Sequence, residues 1–481
     1  MSHHQESLEQ APASQLNSKL AVVIMAAGKG TRLKSRRPKV LHEVGGKPLL
    51  SHVIAAAGHI VPPDSIYVVI GHEAERVRQA VAATGVQFVH QPEQRGTGHA
   101  MQCARPAIAG YDHTLVLSGD VPLIHPDTIE RLWQFHQAEQ AAMTILTAIP
   151  EDPTGYGRIL RKSSASPEVG AIVEQNALAP GQEKIREINS GIYIFRTVSL
   201  LGHLGQLAPA GAGGELYLTD MAALLRMAGE RVVALETADA AEVLGANTIA
   251  ELVGLDAALR AAKARQLMAS GVTIFRPETC VIDAEVEIAP DTVIEPFVQL
   301  LGASRIGGDC RIRSFTVIEN CTLGDSVEIL QHCVMAESSV AAGARIGPYA
   351  RMRPGSAIGE NVHIGNFVET KKTRMGKGAK ANHFAYLGDA EIGAASNIGA
   401  GTIVCNYDGL HKHKTHIGEG VFVGSNSTLV APLVVADGAY IGAASCITKD
   451  VPSDALAVGR AHQFTKEGWA AARRARQKDE K

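Results

Sequence analysis

Residues 281–318 read VIDAEVEIAPDTVIEPFVQLLGASRIGGDCRIRSFTVI, and every sixth position is aliphatic: Ile282, Ile288, Ile294, Leu300, Ile306, Ile312 and Ile318. After a slip of one residue the steps resume at Leu323, Ile329 and Met335, and after another at Val340, Ile346, Met352, Ile358 and Ile364. A last register runs Ile417, Val423, Leu429, Val435, Ile441 and Ile447. A helix repeats its apolar residues at three and four and a strand at two, so period six belongs to neither. It marks a coil in which each hexad is one short strand plus a corner, with the aliphatic pointing inward. Three hexads close a triangular turn of roughly 18 residues, and successive turns stack by parallel pairing about 4.8 Å apart. Small residues after the aliphatics, as in Ile306-Gly307, Ile358-Gly359 and Ile441-Gly442, suit tight corners.

Three places within this coil are expected to break it: 340–364 around Arg351-Met352-Arg353-Pro354-Gly355, the cation-rich stretch 366–388, and 405–416, which reads CNYDGLHKHKTH. They gather Arg353, Lys371, Lys372, His383, Asn406, Tyr407 and Asp408 on loops of neighbouring turns. Acyl transfer from a thioester to an amine needs a base of near-neutral pKa, which His supplies. A sugar phosphate needs positive charge, which Arg353 and Lys371 give. The plainer alternatives are a hydrogen-bonded His and a solvated cationic face, while His411, His413 and His416 leave a metal site open. The period resembles the hexapeptide-repeat acyltransferases, and that resemblance implies a left-handed β-helix, against the general right-handed preference of crossovers.

Ahead of the coil, Leu20–Ala27 is an apolar run that opens into Gly28-Lys29-Gly30-Thr31-Arg32, followed by Pro38-Lys39. A strand entering a glycine-rich turn presents backbone N–H groups to an anion, and Lys29, Arg32 and Lys39 add positive charge there. Further runs at Ser65–Ile70, Val86–His90, Thr114–Leu117 and Met143–Thr147 alternate with amphipathic segments such as Glu73–Thr84 and Pro126–Gln140. This is the pattern of an α/β domain with a mostly parallel, Rossmann-like sheet, whose ligand loops gather at the carboxyl ends of its strands. Three such loops carry candidates: Gln91–Ala100 (QPEQRGTGHA), Ser118-Gly119-Asp120, and DPTGYGRI over 152–159. Asp120 is a candidate magnesium ligand, since Mg²⁺ takes one or two protein oxygens beside phosphate oxygens.

Composition narrows the class. The 481 residues exceed one core, and 46% hydrophobic content with 4% aromatic fits interiors built from Ile, Val, Leu and Ala. A formal net charge of −3 argues against nucleic acid as a partner. The basic tail Arg473, Arg474, Arg476 and Lys478 reads as a solvated helix. Seven scattered cysteines without a CxxC pair, five of them between Ile282 and Ile447, read as reduced thiols filling small apolar spaces in a cytoplasmic protein. No run of eighteen apolar residues suggests a membrane span. The expected layout is a leader over 1–18, an α/β domain over 19–247, a linker helix over 248–270 and the coil over 271–481.

The string from Ala26 to Lys39 resembles the sugar-1-phosphate nucleotidyltransferases. With HFAYLGDAEIG, NIGAGT and CNYDG following in order, the chain from about 20 to 468 resembles the bacterial enzymes that join such a domain to a hexapeptide coil. That resemblance implies two reactions. Glucosamine-1-phosphate is acetylated from acetyl-CoA, and N-acetylglucosamine-1-phosphate then takes a uridylyl group from UTP, with Mg²⁺ as cofactor, feeding peptidoglycan and lipopolysaccharide synthesis. It implies nucleotide and product contacts at Met25, Ala26, Gly28, Lys39, Gln91, Gly96, Thr97, Gly157, Glu174, Asn189 and Asn247, with phosphate charge at Arg32. Asp120 and Asn247 would hold the metal. His383 would be the acetyl-transfer base, with Arg353, Glu369, Lys371, Tyr386 and Asn397 at the amino-sugar phosphate. Ala400, Asn406, Tyr407, Ser425, Ala443 and Arg460 would line the acetyl-CoA site, and a homotrimer is implied. Ser118 stands where some members of the family carry Tyr. Two other readings stay open on the residues alone: a single-activity nucleotidyltransferase with a regulatory coil, and a non-catalytic scaffold.

Overall fold

The computed structural model describes residues 19–163, 166–209 and 214–479. The leader expected over 1–18 lies outside them. The chain divides into two compact units between Leu259 and Arg260, within the helix Ile249–Ala269.

In the N-terminal unit the five apolar runs become β1 (Leu20–Met25), β2 (Ile66–Ile70), β3 (Gln87–His90), β4 (His113–Ser118) and β5 (Met143–Ala148), and β6 (Arg158–Arg161), β7 (Val169–Val173), β8 (Ile188–Arg196) and β9 (Val232–Glu236) join them in one sheet. The order is β9-β5-β8-β4-β1-β2-β3. Neighbours run parallel except β8, which is antiparallel to both β4 and β5. β6 and β7 form an antiparallel pair attached to β8. Strand β1 is apolar throughout because both faces of the sheet are covered. Val22 and Ile24 pack with Leu50, Val53 and Leu132, whereas Ala21 and Val23 pack with Met101, Ala104 and Ile108. His136, from the helix Pro126–Ala138, is fully buried, 3.0 Å from His113 and 2.7 Å from the Thr144 hydroxyl. Burial, then the neighbouring His113 and Arg196, push its pKa down to about 3.

The C-terminal unit is a left-handed parallel β-helix of hexapeptide repeats, its three sides being parallel sheets of eleven, ten and nine short strands among the described residues. The aliphatics at period six stack in its interior: Ile294 lies opposite Ile312, and Ile312 opposite Ile329, so turns of eighteen and of seventeen residues both occur. Each slip in the sequence shortens a turn by one residue and leaves every aliphatic facing inward. Of the three places expected to break the coil, two do not. Val340, Ile346, Met352 and Ile358 keep their inward register, and through 366–388 the inward places pass to Thr370, Met375, Ala381 and Leu387. Only 405–416 is an insertion: Ile392 pairs with Ile417, twenty-five positions on.

Hydroxyls complete the corners. The buried side chains of Thr292, Ser304, Ser396, Thr402 and Ser427 each donate to a backbone carbonyl at 2.7–2.8 Å, so these polar groups carry no unpaired cost. The cysteines are all free. Cys310, Cys321 and Cys333 are buried fillers whose thiols burial pushes upward, whereas Cys405 is half-buried and Cys446 exposed, so the filler role expected of the coil thiols does not extend to those two. Along one edge, Phe297, Phe315, His332, Tyr349, Phe367 and Phe384 form a ladder of rings with centroids 4.7–5.3 Å apart. The basic tail is an exposed helix, Trp469–Asp479, with the Arg473 guanidinium over the Trp469 ring. The side chain of Lys478 lies outside the described residues. No helix among them is long and apolar enough to cross a membrane.

Candidate functional sites

In the N-terminal unit a cavity of about 600 Å³ opens at the carboxyl ends of β1 and β4, walled by Met25, Gly28, Lys39, Gln91, Thr97 and Asp120 among others. The N–H groups of Gly28, Lys29 and Gly30 find no acceptor among the described residues. They are free to meet an anion, as the glycine turn led one to expect. Ala26 is different: its N–H is bonded to the Val69 carbonyl at 2.9 Å and it is not part of the cavity wall. Gly30 has φ +60°, and a Cβ there would lie 2.6 Å from Cβ of Lys39, so glycine is what lets Lys39 close on the turn. Gly96 has φ +94°, and a Cβ would meet the Leu216 carbonyl oxygen at 2.5 Å. Its own carbonyl accepts from the buried Gln91 amide at 3.1 Å, and the Thr97 hydroxyl accepts from the Leu218 N–H at 3.0 Å. The 91–97 loop therefore reaches the cavity as one braced unit. Thr31 and Gln94, from the two stretches singled out at 28–32 and 91–100, also face it, as does Glu215, which no sequence feature marked out.

A second group lies at the start of β6, at the end of β7 and on β8. The Asn189 N–H donates to the Gly157 carbonyl at 2.8 Å, and a Cβ on Gly157 would touch Glu174 at 3.5 Å. Glu174 accepts from Thr219 at 3.3 Å, and the Asn189 amide donates to Tyr193 at 2.8 Å. Residues spread over 157–189 in sequence thus share one patch.

Asp120 and Asn247 converge on one cation. The Lys39 ammonium donates to Asn247 Oδ1 at 2.9 Å and is ion-paired with Asp120, and Arg32 donates to the same Oδ1 at 2.8 Å. Two hard oxygens flanking a point occupied by a positive charge are the donor set Mg²⁺ uses when phosphates complete its shell. The residues present therefore fit the ion.

In the C-terminal unit His383 ends the strand Lys380–His383, directly opposite Asn366 one turn below. Its Nδ1 lies 2.7 Å from Asn366 Oδ1. An amide oxygen accepts, so Nδ1 carries the proton and Nε2 is left as the free base. The same corner place recurs up the coil. The Gly401 N–H donates to His383, Asn426 to Ala400 and Ala444 to Ser425, which puts Asn366, His383, Ala400, Ser425 and Ala443 in one column. Glycines beside it, Gly399 and Gly424, have their missing Cβ atoms within 2.5 Å of the next turn's backbone, so the column is a narrow strip of small residues headed by an imidazole. Asn366 was not singled out in the sequence, although Gly365-Asn366-Phe367 stands one turn before Asn382-His383-Phe384.

The next side of the coil carries the cations. Arg353 donates to Glu369 at 3.1 Å and lies opposite Lys371 in register. Lys371 is buried and donates to Asp389 at 3.2 Å, and Asp389 also accepts from Asn406. The Tyr386 hydroxyl and the Asn406 amide both crowd Gly388. Lys412 comes against Lys371. The Lys412 amine, as acceptor, and the Asp389 carboxylate hold Lys371 above its usual pKa, while the Lys371 charge pushes Lys412 down. Lys412 and Asp389 were not anticipated, because only the folded insertion brings 412 back to 371. Asp408 is the staple of that insertion, accepting from Leu410 and His411 N–H groups at 2.7 and 2.6 Å and from His413 at 2.7 Å. These bonds, His411 first, hold its carboxyl far below the usual range. The histidines part company: His413 pairs with Asp408 and His416 with Glu391. Among the described residues no three or more His, Cys, Asp or Glu side chains gather as a metal site. Asn397 lies on the side that carries His383, paired with Lys380, and Tyr407 and Arg460 are exposed.

An α/β unit with an anion-binding glycine turn, followed by a hexapeptide coil with an oriented imidazole, defines a transferase that combines a nucleotidyltransferase with an acyltransferase. Residues 22–188 match the MobA-like NTP transferase domain. Over 466 residues the chain is 60% identical to Bifunctional protein GlmU of Koribacter versatilis, covering 97% of this chain and 99% of that protein. It is 51% identical to Bifunctional protein GlmU of Solibacter usitatus, over 95% of this chain and 97% of that one. The chain belongs to the bifunctional GlmU family.

Proposed function

We propose that the two units catalyse successive steps to UDP-N-acetylglucosamine, acetylation in the coil and uridylyl transfer in the N-terminal unit. The observation that carries the reading is the corner column, which sets a base with a free Nε2 at the head of a strip of small residues. The amine of glucosamine-1-phosphate attacks the thioester carbon of acetyl-CoA. His383 Nε2 takes the proton, the C–S bond breaks, and the CoA thiolate leaves. Arg353 and Lys371 hold the sugar phosphate, with Glu369, Tyr386 and Asn397 around the amino sugar. The cofactor arm runs along Ala400, Ser425 and Ala443, with Asn406, Tyr407 and Arg460 nearby. One coil presents His383 and Asn397 on one side and the cations on the next, and its ladder of rings is half-exposed. This favours a homotrimer in which adjacent coils complete each site.

In the second step a phosphate oxygen of N-acetylglucosamine-1-phosphate attacks the α-phosphorus of UTP in line, and pyrophosphate leaves. Gln91, Gly96 and Thr97 hold the base, with Met25 and Gly28 along the nucleotide and Gly157, Glu174 and Asn189 at the sugar. Arg32 and Lys39 offset charge on the leaving pyrophosphate. Mg²⁺, held by Asp120 and Asn247, supplies positive charge to the phosphate oxygens when bound. Free thiols throughout the chain favour the cytoplasm as the place of reaction. The test is His383→Ala, assayed for CoA release and for UTP-dependent pyrophosphate release. Loss of the first by roughly 10²–10⁴-fold with the second intact is expected; loss of both, or of neither, overturns the assignment.

A further inference from the structure

The place between Asp120 and Asn247 is filled by the chain itself. Lys39 bridges the two side chains, and Arg32 adds a second donor to Asn247 Oδ1 at 2.8 Å. One carboxylate and one amide thus face two cations, and glycine at position 30 leaves the room in which Lys39 closes on them. A divalent ion entering alone would have to displace the ammonium from its one carboxylate partner among the described residues and then sit beside both cations. A triphosphate changes the balance. Its oxygens offer Lys39 and Arg32 stronger partners, and their departure uncovers both metal ligands.

We propose that Lys39 and Arg32 are internal placeholders that keep the divalent-ion site shut until nucleotide phosphates draw them away. This rests on the assignment of Asp120 and Asn247 as metal ligands given above. The two cations thereby act twice, blocking the ion in the free protein and gripping the phosphates in the complex. The coupling belongs to these side chains and not merely to the affinity of the ion for the nucleotide.

The experiment measures Mn²⁺ binding to the full-length protein by electron paramagnetic resonance and calorimetry, without nucleotide and with a non-hydrolysable UTP analogue. Wild type, Lys39→Gln, Arg32→Gln and Asp120→Ala are compared, with thermal melts checking that each variant is folded. Without nucleotide, Lys39→Gln is expected to bind Mn²⁺ more tightly than wild type, within the usual coupling range of roughly 5- to 150-fold. Arg32→Gln should show a smaller gain, and both should bind the analogue more weakly. Equal Mn²⁺ affinity in wild type and both glutamine variants overturns the placeholder role. Asp120→Ala separates the two ideas, since Mn²⁺ affinity equal to wild type in that variant, both without nucleotide and with the analogue bound, overturns the ligand assignment itself, and the placeholder role with it.

Discussion

The two sites are assembled by opposite means. In the N-terminal unit, residues from 25 to 215 converge through loops on one open cavity, and charges beside it are satisfied within the chain: Lys39 by Asp120, Arg32 by the Asn247 amide oxygen. In the coil, the His383 column is an outer edge whose members are neighbours by register alone, each a whole turn from the next. A pocket of loops depends on a few backbone shapes that nothing else in the chain reproduces. An edge of stacked turns depends on a place that the fold repeats, so its base is positioned by the turn beneath it.

The sharpest test of that contrast is Gly96→Ala. A Cβ in a left-handed conformation, aimed at a backbone oxygen, costs on the order of 2–3 kcal/mol. A fall of roughly a hundredfold in kcat/KM for UTP is expected, with acetyl transfer untouched. A fall in both activities would show that the loop is not local to its pocket.

Asn366→Ala probes the edge. It removes the acceptor that fixes the His383 tautomer, so kcat for acetyl transfer should fall roughly tenfold to a hundredfold with little change in KM for either substrate. An unchanged kcat across the pH profile would mean that the turn below does not position the base.

Acid should distinguish the two interiors. An unfolded His takes its proton near 6.5, whereas folded His136 refuses it until about 3. Between those values the unfolded chain binds more protons, so the stability this group confers is full above pH 6.5 and declines as pH falls towards 3. Buried hydroxyls do not titrate there, and the coil has no such group among its fully buried described residues. Denaturation followed by Trp133, stacked on His136, should therefore show the N-terminal unit weakening from pH 7 to 5, and His136→Gln should flatten that dependence. A slope unchanged by the substitution would remove His136 as its source.

How much was legible followed from the same contrast. Strands β1 to β5 announced themselves as apolar runs because both of their faces are covered. Strand β8 did not, since Asn189, Ser190 and Gly191 interrupt its start, and its antiparallel course has no sequence mark. The coil is legible from its period, yet 366–388 resembles a break because Thr370 and Ala381 hold inward places where the period calls for a larger aliphatic. Most site residues came from family resemblance. Their pairings did not, because Arg32 and Asn247 lie 215 positions apart and only folding joins them.

The corner column has a consequence for reach. Ala400, Ser425 and Ala443 stand one, two and three turns beyond His383, hence about 5, 10 and 14 Å from it at the spacing of stacked strands. The edge is a ruler graduated in turns, indifferent to whether a turn spends seventeen, eighteen or twenty-five residues. Removing one complete turn above His383 would shorten it by one graduation and leave the imidazole and its Asn366 partner where they were.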